Sequence, residues 1–168
     1  MAGNKYIANS NGTLTEVVSS QSSAGAGDAG KIVALDSTGR IDNSMMPVGI
    51  GADTAVIAAS ENLAAGDLVN VWNSSGAKVR KADATTAGKE AHGFVLSAVT
   101  SGNNATVYFE GSNTGVTGLT PGVQFLSTTA GIASATAPSG SGNVVQRVGF
   151  ATAAASLNFD AGDPVVLA

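Results

Sequence analysis

From residue 54 onward, short apolar bursts recur between turns that carry Gly or Asn: 55–59, 68–72, 77–80, 91–99, 106–110, 123–126, 144–150, 156–159 and 164–167. A spacing of roughly ten residues per burst predicts a mainly β protein, a compact sandwich or barrel-like body. Helical periodicity is confined to 60–63 and 82–88, each long enough for about one turn. Residues 1–30 are dominated by Asn, Ser, Gly and Ala, and 19–27 reads as a linker. Such a segment buries too little apolar surface to offset the cost of ordering its backbone. The chain therefore divides into a flexible, extended N-terminal arm over 1–47 and a β-rich domain over 48–168. Within the arm, 31–42 holds an apolar run, a turn with Asp, Ser and Gly in favoured places, and a resumption at Ile41. It reads either as a small β-hairpin or as a strand laid across another subunit.

A weak repeat runs through the body. Leu63, Gly66, Gly93 and Phe94 recur 56 positions later as Leu119, Gly122, Gly149 and Phe150. This predicts two related β-units, about 63–111 and 119–162, packed face to face. In each, Gly would supply a positive φ or a close backbone approach and Phe would anchor the core.

Composition narrows the chemistry. Gly, Ala, Ser and Thr make up 84 of the 168 residues, which implies a modest core, and Val plus Ile outnumber Leu plus Met by 24 to 12, which favours strands. Seven of the eight aromatics lie between Trp72 and Phe159. With no Cys, a single His and a net charge of −4, a disulfide scaffold, a thiolate metal site and a polybasic nucleic-acid or membrane-surface binder are excluded. The N-terminus shows no apolar signal region and no stretch approaches the roughly 20 apolar residues of a membrane span, so the expectation is a protein made in the cytoplasm.

The motifs point to no catalytic, cofactor or metal site. Gly25-Ala26-Gly27-Asp28-Ala29-Gly30 matches a dinucleotide-binding fingerprint but lacks the preceding strand and following helix. Ser75 and Lys78 match a Ser–Lys nucleophile pair in a short strand-like setting, where a turn is the better reading. His92 has no second His and no Cys to join it, and reads as a packed or interface residue. Asp36 and Asp42, like Asp160 and Asp163, flank Gly-containing turns without the full spacing of a calcium loop. Lys78, Arg80, Lys81 and Lys89 form either a basic stripe for an acidic partner or a solvated edge protected by charge.

The stretch 30–51, with Lys31-Ile32-Val33-Ala34-Leu35-Asp36-Ser37-Thr38-Gly39-Arg40 at its head and Met45-Met46-Pro47 further on, resembles small virion proteins of tailed bacteriophages. So do 115–127, Gly-Val-Thr-Gly-Leu-Thr-Pro-Gly-Val-Gln-Phe-Leu-Ser, and 144–151. Similar blocks occur in capsid decoration (cement) proteins and in head or tail fibres. The resemblance implies a non-enzymatic structural protein made in the host bacterial cytoplasm and sited on the capsid surface of the virion. It further implies a homotrimer that binds the major capsid protein of the expanded shell and touches neither nucleic acid nor membrane. On that reading Ile32, Val33, Leu35, Met45, Met46 and Pro47 order on the capsid, and an arm of some 47 residues reaches on the order of 150 Å when fully extended. Trp72, Phe94, Tyr108, Phe109, Phe125 and Phe150 then supply the core or a subunit contact. The alternative is a head-fibre or tail-fibre/tip protein that attaches to a host surface.

Overall fold

A computed structural model of the chain describes residues 5–46 and 52–168. The chain divides into two compact units, Met1–Gly51 and Ala52–Ala168.

The first unit opens with a hairpin of β1 (Lys5–Ser10) and β2 (Thr13–Val18). Asn11 and Gly12 both have positive φ, 51° and 87°, the requirement of a two-residue type I′ turn, and the register runs from Ser10↔Thr13 to Lys5↔Val18. Beyond it, the stretch expected to be a mobile linker is tied down by hydrogen bonds. Ser20 and Val33 form a parallel bridge, with Ser20 N–H donating to Ile32 O at 2.9 Å and Ala34 N–H to Ser20 O at 2.8 Å. Val33 therefore pairs with the upstream chain, and the 31–42 segment contributes a turn without a strand pair of its own.

Three aspartates organise this loop. Asp28 accepts from Lys31 Nζ and from Ala24 N–H, both at 2.6 Å. Asp36 accepts from Arg40 N–H and from both donors of Thr38. Asp42 caps a 3₁₀ turn, Asn43–Met45, by accepting from the Ser44 hydroxyl and N–H. Each carboxyl is held below its ordinary value: Asp28 by Lys31 first, Asp36 by Arg40 N–H, Asp42 by the Ser44 hydroxyl. A lowered folded-state pKa stabilises the loop above the ordinary carboxylate range and ceases to do so as pH falls through the lowered value. Acidification from pH 6 toward pH 2 should thus release the Ala24, Thr38 and Ser44 amides, read as convergence of their NMR shifts on random-coil values; invariant shifts would refute the capping role.

The second unit begins with a closed barrel. Its strands are β3 (Thr54–Ala59), β4 (Leu68–Asn73), β5 (Ala77–Lys81), β6 (Gly93–Val95) and β7 (Asn104–Tyr108), in the order β3-β5-β4-β6-β7. Closure comes from a short parallel pairing of β3 with β5, Ala58↔Lys78 and Ala59↔Val79. Alternate residues point inward, so Val69, Val79, Val95, Ala105 and Val107 form one buried cluster with Ala59 and Leu63.

A second sheet follows, from β8 (Gly111–Asn113), β9 (Gly122–Leu126), β10 (Ala133–Ser134), β12 (Arg147–Ala153) and β13 (Ser156–Phe159). The pair β11 (Val144–Val145) and β14 (Val165–Val166) stands beside it. The sheet order is β10-β9-β12-β13-β8, and the barrel opened between β5 and β3 reads β5-β4-β6-β7-β3. Taken strand for strand along the chain, the two orders are the same; only the closing parallel pair is missing from the second. Its absence has a visible cause, since β8 and β10 span three and two residues where β3 and β5 span six and five.

The repeated glycines do the same work in both units. A Cβ on Gly93 would lie 2.5 Å from Tyr108 O, and one on Gly149 1.9 Å from Asn158 O. These are the residues opposite the repeated phenylalanines, in the pairs Phe94↔Tyr108 and Phe150↔Asn158. The one-turn helices expected at 60–63 and 82–88 are bends and turns; 3₁₀ turns occur instead at Ala26–Asp28 and Asn43–Met45.

Between barrel and sheet lies the main core: Leu68 and Phe94 from the barrel's outer surface against Leu126, Val148, Leu157 and Phe159 from the sheet. Buried amides join the two halves. Gln146 exchanges both hydrogen bonds with the Ala91 backbone at 2.8 and 3.0 Å, and Asn113 Nδ2 donates to Gly66 O at 2.9 Å. Satisfied polar groups of this kind fix one relative register, because any slip leaves a buried donor or acceptor unpaired.

Candidate interaction surfaces

The residues singled out from sequence separate into four environments. Phe94 is buried at the centre of the main core, stacked on Tyr108 at 5.4 Å between ring centroids and tilted against Phe159 at 5.6 Å. Phe109 packs half-buried against the barrel interior. Trp72 lies half-buried on the outer face of β4, where its Nε1 donates to Ser60 Oγ at 3.2 Å. Phe125 and Phe150 are on the outer face of the second sheet, half-buried and 44% exposed respectively. The expectation that the repeated Phe anchors a core thus holds for Phe94 and not for Phe150.

The first unit contains no buried residue among those described. Ile32, Val33 and Leu35 are each more than half exposed, Met46 is exposed and Met45 half-buried. Pro47 lies outside the described residues. Sequence reading missed three further apolar side chains here: Ile7, Leu14 and Val18 lie on one face of the β1–β2 hairpin and are 60% or more exposed. Their signal was the Asn11-Gly12 turn between two β-prone runs. A two-stranded hairpin without a covered face is marginal in water, and hydrogen bonds exchanged with solvent contribute about 1 kcal/mol each. This unit thus presents an apolar surface with no core of its own beneath it.

The cationic residues are largely engaged. Arg80 lies 4.5 Å over the Trp72 ring, donates from Nε to Asn70 Oδ1 at 3.0 Å and from Nη2 to Gly88 O at 2.6 Å. Lys81 pairs with Asp67 and Lys89 with Asp83, each at 3.0 Å. These contacts make the strip a braced barrel edge, since three of its four charges already have partners. His92 is exposed, and its Nδ1 accepts from Val71 N–H at 3.0 Å. Ser75 has φ 55° in the β4–β5 turn. Asp160 pairs with Arg147 at 2.7 Å. Among the described residues no three His, Cys, Asp or Glu side chains gather in a metal-binding group, and no helix is long and apolar enough to cross a membrane.

No protein-family model matches the chain, and no curated protein sequence matches it. Among solved structures it is similar to the head fiber gp8.5 N base of bacteriophage phi29, at 16% sequence identity and a TM-score of 0.44, over 69% of this chain and 94% of that one.

Proposed function

We propose that this chain is a structural virion protein of a tailed bacteriophage, seated on the outer surface of the expanded capsid through its N-terminal unit and stabilising the shell as a decoration (cement) protein. The observation that carries the reading is the hydrogen-bonded but coreless first unit, with Ile32, Val33 and Leu35 exposed together on one short segment. A surface of this kind gains its apolar burial from a partner, and the major capsid protein is the partner on this reading. The chemistry is mass action: a ligand that binds the expanded shell and not its precursor stabilises the former by RT ln(1 + [L]/Kd). The braced β-body is the rigid mass left standing outside.

Replacing Ile32, Val33 and Leu35 together by Ser in the full chain should weaken binding to purified expanded shells by about 100-fold, the loss of about 3 kcal/mol of apolar burial. Deleting residues 1–47 should abolish it while a folded β-body remains. Undiminished binding by either variant would overturn the role of this unit. Copy number on the virion separates the two attachments: hundreds of copies over the shell mark decoration, a few at defined positions mark a fibre.

A further inference from the structure

The two β-units place corresponding cross-strand rows on their outer faces, and only one of these rows is covered. In the barrel, Leu68 pairs with Phe94 and Phe94 with Tyr108. In the second sheet, Val123 pairs with Phe150 and Phe150 with Asn158. The first row is buried by the chain itself, against the inner face of the second sheet. The second leaves Val123 and Phe150 51% and 44% exposed, with half-buried Phe125 beside them on the same face of β9.

We propose that this outer face, centred on Phe150 with Val123 and Phe125, is a contact between copies of this chain. Two observations favour a second copy over an unrelated partner. Within one chain, the corresponding row is already covered by a β-unit of the same strand order, so this fold carries a surface complementary to it. The rim is also self-complementary in charge: Arg147, opposite Phe125 in the register, pairs with Asp160, and both remain exposed, so one cation and one anion border the same apolar centre. Between two copies, Arg147 of one meets Asp160 of the other at no net electrostatic cost. An apolar centre with a polar rim is the usual anatomy of a protein–protein contact.

The test uses the full chain in analytical ultracentrifugation. Phe150→Asp should raise the self-dissociation constant at least about ten-fold, with the thermal melting of the isolated subunit unchanged because Phe150 is outside the core. Arg147→Asp and Asp160→Arg should each weaken self-association, since their rims carry like charges, and the two variants mixed should associate more tightly than either alone. A chain that stays monomeric at high concentration, unaltered association of Phe150→Asp, or no preference in the mixture would each overturn the proposal.

Discussion

Phe94→Ala should lower the unfolding free energy of the protein by about 3–5 kcal/mol, read as a reduced urea midpoint with little change in slope. Phe94 is 1% exposed and touches both halves of the body, stacking on Tyr108 of its own barrel and meeting Phe159 of the second sheet. Truncation removes the transfer free energy of a ring and leaves a cavity lined by neighbours held in a barrel and a sheet, which cannot collapse into it. A domain of this size has about 5–15 kcal/mol in total, so a third or more of the stability is at stake. Phe150→Ala supplies the control: the matching residue of the repeat, removed from an exposed face, should cost below about 1 kcal/mol in the isolated subunit. Equal losses from the two substitutions would refute the asymmetric burial.

Gly149→Ala should be at least as damaging, by about 4 kcal/mol or more, through backbone geometry. Gly149 has φ 128°, and a Cβ there would sit 1.9 Å from Asn158 O, inside any permitted contact. The colliding atom is backbone of the neighbouring strand, so relief requires β12 and β13 to separate, with loss of their ladder. Gly122→Ala isolates the clash: φ is similar, 122°, but nothing lies within 4 Å of the added methyl. That variant should lose only the strain of an unfavourable φ, about 1–3 kcal/mol. If both variants melt at the same temperature, close approach is not what selects glycine at 149.

Much of the body was legible as a pattern of bursts. The runs at 55–59, 68–72, 77–80, 123–126 and 156–159 become β3, β4, β5, β9 and β13 to within a residue or so. The missed strands in the body have a common reason. Gly111–Asn113 and Ala133–Ser134 contain no run of large apolar side chains, and the neighbours that pair with them make them strands. Missing the β1–β2 hairpin has a different cause: composition was weighed over a long window, and a polar average concealed two six-residue runs around Asn11-Gly12. The candidate surface was legible only in part. Ile32, Val33 and Leu35 stand out as the large apolar residues of a polar segment, whereas no property of Phe125 or Phe150 in one dimension separates them from Phe94.

The sequence alone determined the class of this protein: β-branched runs of strand length, turns where Gly or Asn tolerates positive φ, and too few titratable or metal-binding side chains to assemble a reaction centre. It also determined the repeat, because a glycine that must admit a neighbouring carbonyl leaves a mark in each copy. Tertiary structure decided which copy closes into a barrel and which stays open, through strands too short to meet. It likewise decided that one copy's Phe is core while the other's is surface. Burial is a property of what lies opposite a residue, and two identical dipeptides on equivalent strands meet different neighbours once one unit has packed its inner face against the outer face of the other.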